Sequence, residues 1–284
     1  MKRIATIQDI SCLGKCSLTV ALPILSAMGV EACVVPTAVL STHTMFTGYT
    51  FRDLTDDMPA IADHWEQEGF RFDALYTGYL GSDRQLSIVE DYFRRFGNDA
   101  VKLVDPVMGD NGRLYTGFTP EFARKMAELC GKADIIMPNL TEAAYMLGEG
   151  YAAGGYSEGY IKDLLKKLAD LGAKNAVLTG VSFSQGEIGV MSYCAETGVY
   201  ESYFHPRVDA SYHGTGDIFA STATGGLMNG LSLSASLQLA ADYTAGCIRV
   251  TAADPDGIRY GVYFERQIPQ LLSSLEAAKQ AANA

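Results

Sequence analysis

Tyr212-His213-Gly214-Thr215-Gly216-Asp217-Ile218-Phe219-Ala220-Ser221 is the stretch from which the rest of the chain can be read. Residues 218–228 are small and apolar, so they predict a buried helix, running from 215 to 228, with Gly214, Thr215 and Gly216 at its start. The first backbone N–H groups of a helix have no intrahelical partner, and the helix dipole adds partial positive charge there. Such a start receives anions, phosphate above all. Glycine lets the backbone come close and take up positive φ. An aspartate in the same turn repels a simple anion. It makes sense if Asp217 accepts a proton from a hydroxyl while the amides of residues 214–216 hold the charge on a transferring phosphoryl group. The plainer alternative is an aspartate capping a helix after a glycine turn.

Composition narrows the class. A chain of 284 residues can bury a large core within one α/β domain, and 48% hydrophobic against 19% charged residues excludes disorder. A formal net charge of −11 argues against nucleic acid or an anionic membrane as main partner. An anionic nucleotide then needs local positive groups, a metal or backbone amides. Met1-Lys2-Arg3-Ile4 leads straight into a strand pattern, and no apolar run approaches the ~20 residues of a membrane span. With six scattered cysteines, the expectation is a reduced, cytoplasmic protein. Cys12 and Cys16 lack the second pair that a zinc site needs, and His43, His64, His205 and His213 have no ligand spacing.

Strand and helix patterns alternate. Strands are predicted at 4–8, 32–40, 74–77, 101–104, 135–137 and 176–179, with an antiparallel pair at 187–194 and 199–205. Helices are predicted at 17–28, 58–68, 82–96, from Thr119-Pro120, from Thr141, at 157–171, 215–228 and 233–249, and after Pro269. This pattern implies one α/β domain over residues 1–284, with a mostly parallel sheet covered by helices on both faces. Ligands of such sheets bind beyond the carboxyl ends of the strands. Asp9, Ser41 to Thr44, Tyr76 to Gly81, Asp105 to Asp110, Pro138 to Glu142 and Thr179-Gly180 all fall at such ends.

Two familiar nucleotide motifs fail. Gly14-Lys15-Cys16-Ser17 hints at a P-loop, but Asp9 stands where its first glycine belongs and Cys16 where Ser or Thr belongs. Gly214-Thr215-Gly216 begins like a dinucleotide fingerprint, but Phe219 occupies the third small position.

His213-Gly214-Thr215-Gly216-Asp217 resembles the G-x-G-D motif of the ribokinase superfamily, and further motifs resemble its pyridoxal kinase branch. These are Thr6-Ile7-Gln8-Asp9, Ser41-Thr42-His43-Thr44, Tyr76-Thr77-Gly78-Tyr79-Leu80-Gly81, Asp105-Pro106-Val107-Met108-Gly109-Asp110 and Pro138-Asn139-Leu140-Thr141-Glu142, in family order over nearly the whole chain. The resemblance implies a ribokinase-like fold and ATP-dependent phosphorylation of the 5′-hydroxymethyl of pyridoxal, pyridoxine or pyridoxamine. It implies that Asp217 is the base and that Gly214, Thr215 and Gly216 form the anion hole. Asp105 and Glu142 are then the Mg²⁺ residues, acting partly through water. Asp105, Asp110, Asn139, Glu142 and Thr179 lie on the nucleotide side, and Asp9, His43, Thr44 and Tyr79 on the vitamer side. A K⁺ ion and a homodimer are implied by the resemblance alone.

Departures from the family pattern concern the substrate side. Asp9 replaces a usual serine near the ring nitrogen, Met45 follows Thr44, Met137 precedes Pro138, and Gly180 stands where one subgroup has a basic residue. Asp9 either meets the substrate or caps a turn before Ser11. Three readings stay open: a B6 vitamer kinase, a hydroxymethylpyrimidine kinase, and a nucleotide- or vitamer-binding relative without turnover. An intact Asp217, Asp105 and Glu142 argues against the last.

Overall fold

Apolar strand runs and capped helices alternate along the chain, and a computed structural model describes residues 1–282. β1 (Arg3–Leu13) leads through α1 (Leu18–Ala27) to β2 (Glu31–Thr42), which pairs with it in parallel. An antiparallel edge strand, β3 (Phe51–Asp53), lies on β2. The chain then crosses through α2 (Met58–Gln67) to the other side of β1, where β4 (Ala74–Thr77) also pairs in parallel. It walks outward through α3 (Asp83–Phe96), β5 (Val101–Val104) and a small ribbon of β6 (Gly109–Asp110) and β7 (Arg113–Leu114). α4 (Pro120–Cys130), β8 (Ile135–Ile136), α5 (Leu140–Leu147), α6 (Glu158–Asp170) and β9 (Asn175–Val181) follow. β10 (Glu187–Cys194) and β11 (Tyr200–Pro206) extend the sheet antiparallel, and α7 (Thr215–Met228), α8 (Leu233–Ala252) and α9 (Phe264–Ala282) complete the described residues. The sheet has nine strands in the order β11-β10-β9-β8-β5-β4-β1-β2-β3.

Side chains alternate across each strand, so the sheet feeds two apolar layers. Ala5, Ile7, Leu75 and Val104 point into one, with Met58, Val89, Met126, Met146 and Leu165 of α2 to α6. Ile4, Tyr76 and Leu103 point into the other, with Ala21 of α1, Ala220 and Ala223 of α7 and Ala240 of α8. Alanines at those helix contacts let α1, α7 and α8 lie close against the strands. Helix starts follow capping chemistry: the side chains of Ser82, Thr119, Asn139, Ser157 and Ser232 each accept a backbone N–H from the first turn that follows.

Two boundaries differ most from the sequence reading. β1 does not end at Gln8 but runs to Leu13, because a register shift between Gln8 and Ile10 lets the chain keep pairing with β2 as far as Thr42. The turn that Asp9 was to cap before Ser11 is therefore replaced by strand, with Asp9 at the irregularity. The last helix begins at Phe264 rather than after Pro269, which lies inside it. Pro269 lies in the second turn of the helix, where its missing N–H removes a single backbone bond. The short strands β3, β6 and β7 carry too few residues for a period to be read.

Leu103 on central β5 is fully buried among α7 and α8 contacts. Leu103→Ala is expected to lower unfolding stability by about 2–5 kcal/mol in urea titration; a change below about 1 kcal/mol contradicts this account of the core.

Candidate active site

Strand order reverses at β1, since the chain passes first to β2 on one side and later to β4 on the other. A crevice at the carboxyl ends of the strands is the consequence of that topology. Of the residues named from the sequence, Asp9 lies close enough to act on Tyr79 and Asp217, and Glu142 and Asp217 on Asp105. The N–H of Gly78 donates to Ile7 O at 3.2 Å and that of Asp105 to Thr77 O at 3.0 Å, so the ends of β1, β4 and β5 stay in step beyond the regular ladder. Asp9, displaced at the irregularity in β1, is 4% exposed and accepts from Ser11 Oγ at 3.1 Å. Burial raises the Asp9 carboxyl above its ordinary value, while hydrogen bonds from Ser17 and Ser11 and the nearby His43 pull it down. Tyr79, its phenol pushed up to about 12 first by burial and next by Asp9, shares this end of the crevice and packs edge-on to Phe118.

From the opposite side comes the start of α7. Gly214 has φ 79°, and no side chain caps the helix, so its first amides face outward. A Cβ on Gly214 would lie 1.7 Å from the carbonyl oxygen of Lys15, whereas a Cβ on Gly216 would meet nothing within 4 Å. Residue 214 must therefore be glycine for the backbone to pass, and the space beside residue 216 is open to a ligand. The segment it presses on, residues 14–17, ends in Ser17 at φ 51°, ψ −134°. That conformation costs a side-chain-bearing residue on the order of 1–3 kcal/mol. Ser17 precedes α1 without capping it. Its carbonyl accepts from Val20 N and Ala21 N at 3.0 and 2.9 Å, starting the helix. Asp217 is buried at the base of the cradle with its carboxyl pushed up to about 7, by burial first, with the Ser17 N–H opposing and the Asp9 charge reinforcing. A carboxylate poised near neutrality, beside a set of free helix amides, can take a proton from a hydroxyl while charge grows on a neighbouring phosphoryl group.

A third wall carries Asp105, Asn139 and Glu142. Asp105 is held well above the carboxylate range by burial and then by the charges of Glu142 and Asp217. Burial raises Glu142 to about 8 against the pull of backbone N–H groups. Its two oxygens accept from Met108 N at 3.1 Å and Asn139 N at 2.9 Å, the second closing a capping box with the Asn139 side chain. Asn139 is equally committed: Oδ1 accepts from Thr141 N and Glu142 N at 2.8 and 3.0 Å, and Nδ2 donates to Gly109 O at 2.8 Å. Among the described residues no three or more His, Cys, Asp or Glu side chains group as a metal cage. Mg²⁺ does not require one, since it keeps several waters and combines one or two carboxylates with substrate phosphates. Two buried carboxylates that destabilise each other's charge fit such a cation. Asp105 has the freer oxygens, while Glu142 retains one lone pair per oxygen for water.

The remaining expected residues divide. Asp110 sits exposed on the β6–β7 ribbon, where its carboxylate accepts from Asn111 N and Nδ2, and the turn at Asn111 (φ 51°) and Gly112 (φ 77°) is tied to α5 by Gly112 N donating to Thr141 Oγ1. Thr179 pairs with Asn139 through a parallel bridge, and its N–H donates to Pro138 O at 3.1 Å. His43 is buried, stacks on His213 at 5.1 Å and hydrogen-bonds Tyr260 O through Nε2 at 2.9 Å. Since His43 Nδ1 accepts from Met45 N, Nε2 is the donor. Thr44 is not brought into the crevice and lies on an exposed turn. Ser17 and Cys16 were not expected at the site from the sequence, where Cys16 was weighed only as a metal ligand and both as part of a P-loop. Cys16 has its thiol pushed up to about 12, by burial and then by Asp217. Their signal was present only as a Gly14-Lys15-Cys16-Ser17 segment that fails as a P-loop.

This crevice, built from strand ends and a late uncapped helix rather than a P-loop, is that of the ribokinase-like α/β kinases. The family model described as phosphomethylpyrimidine kinase matches residues 22–261, and the chain belongs to that family. Among its relatives, the pyridoxal kinase of Granulibacter bethesdensis is 26% identical over 262 residues, covering 88% of this chain and 90% of its own. The crystal structure of pyridoxal kinase from Lactobacillus plantarum superposes with a TM-score of 0.88 at 31% identity, covering 98% of this chain and 99% of that one. A Bacteroides thetaiotaomicron protein provisionally assigned as a phosphomethylpyrimidine kinase, in a form solved with pyridoxal, gives a TM-score of 0.90 at 42% identity, with 95% of each chain covered.

The raised value of Asp217 has a sign for stability. The folded form holds the proton more tightly than the unfolded chain, so stability is lost as pH rises from about 4 to about 7 and is level above that. Asp217→Asn removes the ionisation. Its melting temperature is therefore expected to exceed the wild type's at pH 8 and to converge with it near pH 4; a variant less stable than wild type at pH 8 contradicts the burial argument.

Proposed function

We propose that this protein transfers the γ-phosphoryl group of ATP to the 5′-hydroxymethyl group of a B6 vitamer. The observation that carries the proposal is the uncapped glycine start of α7, which shares one buried crevice with Asp217, Asp9 and Tyr79. The relatives named as pyridoxal kinases, and the neighbour solved with pyridoxal, supply the substrate class. Phosphoryl transfer needs alignment and charge neutralisation far more than covalent help, and the cradle offers both. In this reading Asp217 accepts the hydroxyl proton as the oxygen attacks phosphorus. The amides of Gly214, Thr215 and Gly216 hold the charge on the transferring group. Asp105 and Glu142 would hold Mg²⁺, which when bound with the nucleotide would neutralise the phosphate oxygens. Asn139 positions that wall by fixing the start of α5 and the Gly109 carbonyl. Asp110 and Thr179 line the nucleotide side.

On the vitamer side Tyr79 and His43 flank the ring, and Asp9 faces its polar edge. A carboxylate accepts hydrogen bonds without donating any, so Asp9 favours a protonated pyridinium or an amine-bearing ligand over a neutral acceptor. The match to a model described as phosphomethylpyrimidine kinase supports a second reading, in which the alcohol is a hydroxymethylpyrimidine.

ADP release measured with pyridoxal, pyridoxine, pyridoxamine and hydroxymethylpyrimidine separates the two. A kcat/KM for at least one B6 vitamer at least tenfold above that for the pyrimidine is expected; the reverse order overturns the proposal in favour of the second reading. Asp217→Asn is expected to cut kcat by about 10²–10⁴-fold while ADP binding by calorimetry persists, since the amides stay in place. Near-normal turnover in that variant removes Asp217 as the base.

A further inference from the structure

Lys15, the lysine of the segment that fails as a P-loop, is held by parts of the chain that lie far apart in sequence. Its carbonyl oxygen is the atom that residue 214 must avoid, since a Cβ there would lie 1.7 Å away. Its own Cβ lies 2.5 Å from where a side chain on Gly261 would begin. Its ammonium meets both carboxylate oxygens of Glu265 at 2.5 Å, and the rings of Phe264 and Tyr263 lie 5.1 and 5.7 Å away. The same C-terminal stretch reaches the crevice by a second route. Tyr260 O accepts from His43 Nε2 at 2.9 Å, His43 stacks on His213, and His213 directly precedes Gly214. Gly14 completes the circuit, because a Cβ on it would lie 2.6 Å from His43 Cδ2. Residues 14–15, 43, 213–214 and 260–265 therefore form one closed ring of contacts.

We infer that Lys15, through its ion pair with Glu265, is a positioning residue that holds the anion-hole turn at Gly214 and the loop at His43 in their working places. The inference rests on the kinase reading above, since it concerns the site that reading uses. The charge of Lys15 is committed to Glu265 and to two rings, so its part is to fix the backbone that carries the amides rather than to meet phosphate. The Lys15 side chain is 17% exposed and that of Glu265 53%. A pair so open to water is weak alone, and the ring contacts add to it; together they bias the turn toward its working place by about tenfold in population. That bias bears on the transfer step, because helix amides stabilise a transferring group only when they are aimed at it.

Lys15→Met keeps an unbranched stem against Gly261 and removes the charge, while Glu265 stays solvated without its partner. The variant is expected to fold, with a melting temperature within about 4 °C of the wild type. Its kcat for the preferred alcohol is expected to fall about tenfold, with KM for ATP within about twofold. Glu265→Gln leaves the ring contacts and is expected to lose about threefold in kcat, and the double variant to be no slower than Lys15→Met. Lys15→Arg keeps a cation for Glu265 and is expected to recover kcat to within about threefold of wild type. An unchanged kcat in Lys15→Met overturns the inference. So does a rise in KM for ATP confined to Lys15→Met, which would put the ammonium on phosphate instead of Glu265. Should the pyrimidine prove the better substrate, the vitamer reading fails, and the same comparison made with the pyrimidine still decides the inference. If the wild type phosphorylates neither alcohol, the kinase reading has failed and amide hydrogen exchange decides. The N–H of Ile218 bonds Gly214 O at 3.0 Å and that of Phe46 bonds His43 O at 3.2 Å. Both are expected to exchange about tenfold faster in Lys15→Met, while that of Gly78, on Ile7 O, keeps its wild-type rate. Unchanged exchange at either Ile218 or Phe46 overturns the inference.

Discussion

The carbonyl of Lys15 and the backbone of Gly214 meet so closely that a single added carbon at residue 214 would overlap the oxygen. That approach joins the two ends of the chain's working parts: the segment leaving β1 and the first turn of α7. In the same turn Ser17 takes a positive φ. Because Gly214 takes the left-handed conformation, no side chain covers the start of α7, and its amides stay free for an anion. A glycine requirement and an open anion site thus meet at one close approach.

Charge is the second organising fact. A chain of net charge −11 gathers Asp9, Asp105, Glu142 and Asp217 in one crevice and buries all of them. Each is raised above its ordinary range, first by burial and then, for Asp105 and Asp217, by a neighbouring acid. Such a site repels a bare nucleotide. It becomes favourable when phosphate charge is met by helix amides and by a divalent cation. Burial, reinforced by the Asp9 charge, keeps the Asp217 carboxyl near neutral pKa, which is where a general base works best at physiological pH.

The helical and parallel-strand rhythm was legible in the sequence because it rests on local chemistry: Thr119-Pro120 and Ser82 start helices as capping predicts, and the strand at 74–77 lies where its apolar run falls. The two acid clusters, at Asp105 and at Asn139 to Glu142, could be placed at strand ends for the same reason. Failures came where tertiary pairing overrode local signals. β1 continues past Asp9 because β2 pairs with it, and Pro269 is carried inside α9 near its start. Thr44 reads as a pocket residue from its motif yet lies on an exposed turn, while its neighbour His43 is the buried one. The positive φ of Ser17 was not legible, because no local residue pattern reports that conformation at a serine.

The claim on which this account turns is that Asp217 must lose its proton, from a value raised to about 7, before the alcohol can attack. The pH dependence of kcat/KM for the preferred vitamer, with the vitamer's own ionisation divided out spectroscopically, tests it most directly, since this ratio reports the free enzyme's essential base. The account predicts a plateau at alkaline pH and an acid limb that falls tenfold per pH unit below about 7. A profile that stays level from pH 8 down to pH 5 contradicts it.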